Sequence, residues 1–277
     1  MNGRDAFLDA LVAAALEPTT PIDFPDGNLV RYRVRGDKPG SRNGWAVYHA
    51  QPLPAGAFGS WRTGESHTWR DAVAMSRLTP VQRQQAAVSQ RDRERLRAEA
   101  EVSVRALARN RAARLWAPAR PATDMHPYLQ AKRVPAYGIR QLRDMLVIPA
   151  RDAAGELHTL QFISADGAKR FLSGGRISGC YYAIAGSGDG LLICEGYATG
   201  ATIRLATGAA VAVAFNAGNL VPVAQALRAK FPRLRLVIAA DNDRATPGNP
   251  GLREAIRAAR AVGGRVAVPS FPEAANG

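Results

Sequence analysis

Cysteine is nearly absent: only Cys180 and Cys194 occur among 277 residues. Two cysteines without a CxxC spacing cannot build a zinc ribbon or a disulfide framework. They suit a reduced, cytoplasmic setting. No apolar run approaches the roughly 18 residues of a membrane span, so no membrane is expected as a partner. The stretch DAFLDALVAAAL carries Asp5 and Asp9 and reads as a short amphipathic helix, not a signal peptide. No GxxxxGK[ST] loop is present, which argues against ATPase or helicase chemistry. His49, His67, His126 and His158 show no ligand or triad spacing and are assigned no role.

Positive charge, in contrast, is plentiful. The formal net charge is +14 and the pI about 10.7, with 47% hydrophobic and 22% charged residues. A folded, strongly basic protein is attracted to polyanions, nucleic acid first. The excess is uneven. Residues 1–76 hold eight basic and eight acidic side chains, whereas 77–115 hold ten against four. That second segment has Thr79 as an N-cap, Pro80 in the first turn and Pro118 as a stop, with alanine, arginine, glutamine and glutamate between. A long helix is expected. Its arginines are either a solvated face or a track along phosphates.

Around this helix the pattern divides the chain into four parts: 1–76, a helical connector 77–120, then 121–190 and 191–277. In the first, LVRYRVRG, GWAVYHA and GAFGSWRTG are strand-like runs separated by turn residues, as in an antiparallel meander. Trp45, Tyr48, Phe58, Trp61 and Trp69 crowd it, either as a compact core or with one or two rings free to stack on bases beside Arg31, Arg33, Arg35, Lys38 and Arg42. In the third part, MLVIPA, LHTLQFIS, KRFLSG and CYYAIA read as strands of a mainly antiparallel module carrying Arg151, Lys169, Arg170 and Arg176. From 191 on, continuously apolar strands alternate with helices, which indicates a parallel sheet covered on both faces.

Within that last part, LLIC runs into Glu195 and Gly196, and LRLVIAA runs into Asp241 and Asp243. In the doubly wound order 2-1-3-4, strands one and three are neighbours. Their carboxyl ends then flank the point where the winding reverses, the usual place for a ligand. Three carboxylates converging there repel one another unless a hard divalent cation neutralises them. Asp-Asn-Asp alone is also a common turn. Its pairing with a Glu-Gly strand end in the same unit is what points to metal.

CEGYATG together with AADNDRATPGNPG resembles the Toprim domain of bacterial-type DNA primases, type IA and II topoisomerases and some nucleases, over about 191–270. MLVIPARDAAGELHTLQFIS and KRFLSGG are similar to the basic subdomain that precedes Toprim in those primases. GDKPGSRNGWAVYHA and GAFGSWRTG resemble the N-terminal part of primases encoded by plasmids, phages and integrative elements. The resemblance implies an α/β fold: a C-terminal Toprim-like parallel sheet with flanking helices, a mixed basic strand-rich subdomain, and a small aromatic antiparallel N-terminal domain. It implies Glu195, Asp241 and Asp243 as catalytic residues and ligands of Mg²⁺ or Mn²⁺. It implies template and nucleotide contacts at Arg151, Lys169, Arg170 and Arg176. The expected activity is synthesis of short RNA primers, with single-stranded DNA, NTPs and a replicative helicase as partners. A non-catalytic single-strand-binding accessory protein of a mobile element, or a Toprim nuclease, are the alternatives, and oligonucleotide synthesis separates them. Two departures stand out. No cysteine-ligated zinc domain can form, and after Asp243 only Glu254 and Glu273 remain where the family carries a further acidic stretch.

Overall fold

The computed structural model describes residues 3–51, 53–72, 76, 79–241 and 249–269. Two compact units divide the chain at about residue 98.

The first unit begins with helix α1 (Gly3–Ala13), followed by an antiparallel meander of β1 (Leu29–Tyr32), β2 (Gly44–His49), β3 (Ala55–Ser60) and β4 (Ser66–Arg70) in spatial order 1-2-3-4. Alternation decides which side chains are inside. Along β2, Gly44, Ala46 and Tyr48 are buried, while Trp45, Val47 and His49 face the other way and are half-buried. Phe7 and Leu11 of α1 pack on the inner face against Phe24, Tyr48 and Phe58. The Phe7 ring meets Phe24 and Phe58 edge to face at 5.2 and 5.6 Å. Gly56 makes this possible, because a Cβ there would lie 2.5 Å from Phe7 Cε2. The aromatic region therefore has a genuine core, with part of its aromatic content left outside it.

Helix α2 (Pro80–Trp116) is the long helix expected there. Its N-terminus is a reciprocal capping box: Gln82 N–H donates to Thr79 Oγ1 at 3.3 Å, and Thr79 N–H donates to Gln82 Oε1 at 2.9 Å. The cut between the two units falls within this helix.

In the second unit, Ala112 of α2 packs with Val147, Leu160 and Leu172 on an antiparallel sheet. That sheet is ordered β5 (Arg120–Pro121), β6 (Arg140–Leu142), β7 (Met145–Arg151), β8 (Leu157–Ile163) and β9 (Lys169–Phe171), with helix α3 (Pro127–Lys132) inserted before β6. The remaining strands form a second sheet: β10 (Tyr182–Ile184), β11 (Ser187–Cys194), β12 (Ala209–Val213), β13 (Arg235–Ala239) and β14 (Arg265–Ala267). Its spatial order is 10-12-11-13-14. Strands 11 to 14 are parallel and realise the 2-1-3-4 order expected from the sequence. The CYYAIA run departs from expectation. It supplies β10, antiparallel to β12, and so joins the C-terminal sheet, not the module before it.

Three helices cover this sheet: α4 (Tyr197–Thr207), α5 (Leu220–Lys230) and α6 (Pro250–Val262). Cys194, Val211 and Val213 turn to the face shared with α4, Tyr128 and Ile148, so the two sheets of this unit have one core. Leu191, Ile193, Leu236 and Ile238 turn to α5 and α6. Burying one such side chain contributes about 1.5–3 kcal/mol. Polar ties accompany the packing. Tyr197 Oη donates to the Pro135 carbonyl at 2.8 Å, and Tyr182 donates to that of Tyr137. Buried Asn219 accepts from Gly179 N–H at 2.8 Å and donates to the carbonyls of Cys180 and Ala214.

Candidate metal centre

β11 and β13 are adjacent and parallel, with Ile193 opposite Ile238. Glu195 lies two residues past that rung on one strand and Asp241 three residues past it on the other. The chain leaves β11 for β12 on one side, then crosses to β13 and β14 on the other. The two carboxylates therefore stand at the switch point where the winding reverses. Asp243 and Asn242 lie outside the described residues.

The environment of the pair is poor in compensation. Glu195 Oε1 is buried and has no hydrogen-bond partner among the described residues. Desolvation, the Asp241 charge and, less strongly, Glu254 push the Glu195 carboxyl up to about 7, while the backbone amide of Ala217 pulls the other way. Desolvation also raises Asp241, and Lys169 partly offsets it. An acid with a bare oxygen beside a second desolvated acid is a costly arrangement without a cation.

The surrounding backbone is drawn in tightly. Gly251, in the first turn of α6, is packed so closely that a Cβ would lie 2.7 Å from the Asp241 carbonyl oxygen and 3.0 Å from Glu195 Oε1. Gly196 is the N-cap of α4 and offers no side-chain cap. A Cβ on it would lie 3.8 Å from both Lys169 Nζ and Thr199 Oγ1, an ordinary contact distance that places the lysine ammonium beside the start of α4.

The four basic residues expected to hold phosphates separate here. Lys169, on β9, is the one beside the carboxylates. Arg170 is exposed, with its guanidinium 5.9 Å from the Phe162 ring centroid. Arg151 donates to the Gly155 carbonyl at 2.9 Å within its own hairpin. Arg176 is committed to Asp152, at 2.8 Å. Cys180 and Cys194 are buried free thiols, and burial raises both.

Sequence reasoning gave His158 no role, yet it belongs to a second acidic group. Asp152, Glu156 and His158 bring their ligand atoms within 4.8 Å of one another and could hold a metal ion. His158 Nε2 lies 2.7 Å from Asp152 Oδ2, and Arg109 pairs with Glu156 at 3.0 Å. Desolvation raises the Asp152 carboxyl. Hydrogen bonds from His158 and from the Glu156 and Ala154 amides, with the His158 charge, outweigh it and leave the group below its usual value. The group also closes the turn between β7 and β8, because Asp152 Oδ1 accepts both of those amides at 3.0 Å.

Comparison with known proteins places this geometry in context. The Toprim domain family matches residues 190–276. DNA primase TraC of Escherichia coli is 35% identical over 287 residues, covering 99% of this chain and 27% of the relative. A second Escherichia coli DNA primase TraC is 36% identical over 302 residues, covering 100% and 20%. The chain thus spans between a fifth and about a quarter of the length of these curated relatives. Among solved structures, the primase fragment of the bacteriophage T7 primase-helicase protein aligns at a TM-score of 0.40 with 14% identity, over 55% of this chain and 66% of that one. The DnaG catalytic core aligns at 0.36 with 14% identity, over 62% and 72%. Residues 190–276 thus match the Toprim domain family, and the chain is similar along its whole length to a segment of DNA primases of the TraC kind.

Proposed function

We propose that this chain is the catalytic portion of a DNA primase, joining ribonucleotides on single-stranded DNA with Mg²⁺ or Mn²⁺ held by Glu195, Asp241 and Asp243. The observation that carries this reading is the only partly compensated Glu195–Asp241 pair at the switch point of the Toprim sheet. The residues present fit a hard divalent cation. Both donors are oxygens, one is bare, and a cation removes their repulsion. Such an ion, when bound, lowers the charge on a triphosphate and favours ionisation of an attacking 3′-hydroxyl.

The chain's own groups position the reactants. Lys169 supplies a point charge beside the centre, suited to a phosphate. The first turn of α4, which has no side-chain cap at Gly196, offers backbone N–H groups near Lys169 for a second phosphate oxygen. Arg170 adds exposed charge next to Lys169. The arginines of α2 lie along a template backbone. Two buried free thiols and a nucleic-acid template suit the cytoplasm. Among the described residues no helix is long and apolar enough to cross a membrane.

The test is a gel assay with single-stranded DNA, labelled NTPs and Mg²⁺ or Mn²⁺. Short ribonucleotide products are expected from the wild type and none after chelation. Binding of DNA with no product under either metal would leave the accessory-protein reading in place. Cleavage of DNA in place of synthesis would establish a nuclease.

A further inference from the structure

The proposed centre does not use the outer face of the N-terminal sheet, which is unusual for an exposed β surface. The register aligns Trp45, Gly59 and Ser66 in one row across β2, β3 and β4, and Val47, Ala57 and Thr68 in the next. Its middle strand thus presents only small side chains. Trp45 lies on this floor, because a Cβ on Gly59 would come within 2.8 Å of its indole. Trp61 stands beside it, 61% exposed, with ring centroids 5.8 Å apart and a 37° tilt. Neither ring belongs to the core built on Phe7.

Positive charge predominates around this face. Arg31 and Arg42 hold each other's carbonyl oxygens at the tryptophan end. At the other end a cavity of about 620 Å³ opens between the sheet and the start of α2, with Arg70, Arg83 and Arg97 in its wall. None of these five arginines is paired with a carboxylate among the described residues. Glu94 is the acid lining the cavity, and Asp37 is neutralised by Arg62 at 2.9 Å. A flat floor, one exposed and one half-buried indole, and guanidinium groups without carboxylate partners among the described residues match a polyanion that carries free planar rings. A duplex hides its rings in its own stack, so it does not fit.

We propose that this face binds single-stranded DNA, with bases stacked on Trp61 and Trp45 and phosphates held by Arg31 and Arg42 and by the arginines of the cavity. This adds a second contact for the template of the proposed reaction. It requires neither metal nor nucleotide.

The test uses the full chain without metal or NTPs, at raised salt so that phosphate contacts elsewhere fade. Anisotropy of a labelled oligothymidylate reads the affinity. Losing one stacking ring should weaken binding about 5- to 150-fold, from the usual worth of base–aromatic stacking. Trp61→Ala is expected to fall in that range with its thermal midpoint intact, and Trp61→Phe to recover most of the loss. Abasic chains of equal length and duplex DNA should bind as weakly as oligothymidylate binds the alanine variant. The proposal is overturned if Trp61→Ala binds like the wild type, or if the abasic chain binds as well as oligothymidylate. A Trp61-dependent dimer of the free protein would also overturn it, by showing that a second copy covers the face. Failure of primer synthesis would leave this binding unchanged, so the two readings fail separately.

Discussion

Glu195 and Asp152 each follow the last residue of a strand, and each has further acids nearby, Glu156 within the same turn for Asp152 and Asp241 and Glu254 from distant elements for Glu195. Asp152 is saturated: two backbone amides, His158 and Arg176 all reach it, and its proton affinity falls. Glu195 keeps a bare oxygen, has Asp241 and Glu254 for company, and its proton affinity rises. A compensated acid holds its own hairpin together. An uncompensated acid at a switch point is a site for a ligand that brings positive charge. On this contrast the Glu195 pair is the proposed ligand site and the Asp152 group a tie within its own hairpin, a distinction that counting carboxylates would not give.

The sharpest way to break this contrast is to exchange one oxygen at each site. Glu195→Gln should cut synthesis by more than about 100-fold, beyond what changes outside the ligand set cost. It should also abolish the rise in thermal midpoint that Mn²⁺ gives the wild type, and leave the metal-free midpoint level or slightly higher. Full synthesis by this variant would remove Glu195 from the centre. Asp152→Ala should do the reverse. Synthesis per folded molecule stays, while urea unfolding shows a loss of about 2–4 kcal/mol because buried partners are stranded. A loss below about 0.5 kcal/mol would make the Asp152 group an ordinary surface ion pair.

Gly251→Ala sharpens the comparison from the backbone side. The added methyl presses on the Asp241 carbonyl and on Glu195 Oε1. About 1–3 kcal/mol of stability should be lost to overpacking, together with a measurable weakening of Mn²⁺ binding by calorimetry. Unaltered metal affinity would place the ion away from Glu195.

The effect most easily masked by other groups is a slope in pH. The Glu195 carboxyl is raised from 4.5 to about 7 in the folded state. The folded protein therefore binds more protons than the unfolded chain between those values, and metal-free stability should fall as pH rises through that window. Above about 7 this contribution is flat. Glu195→Gln should remove the slope, and saturating Mn²⁺ should oppose it. An unchanged slope in the variant would assign it to another group.

Much of the C-terminal half was legible because its signals are local. Apolar strands alternating with helices dictate a parallel sheet. Glu195 and Asp241 follow directly from where two of those strands stop. What escaped the reading depends on distant residues meeting. Gly251 reaches the centre from α6, and Lys169, expected to contact phosphate, stands beside the carboxylates because β9 brings it there. Arg176 looked available for phosphate because its partner, Asp152, lies 24 residues away. His158 has no ligand spacing in sequence, since a hairpin and not a helix turn brings it to Asp152. Tyr182–Ile184 looks like one more strand of the antiparallel module, and only its pairing with β12 reveals its sheet.

The spatial order 10-12-11-13-14 also sets a timetable for folding. β11 is central and apolar on both faces, yet it leaves the ribosome before either of its neighbours exists. β10 must wait still longer for its partner, with a helix and β11 synthesised in between. For that interval the nascent chain carries an unsatisfied central strand, and non-local pairings of this kind form slowly and expose the chain to aggregation.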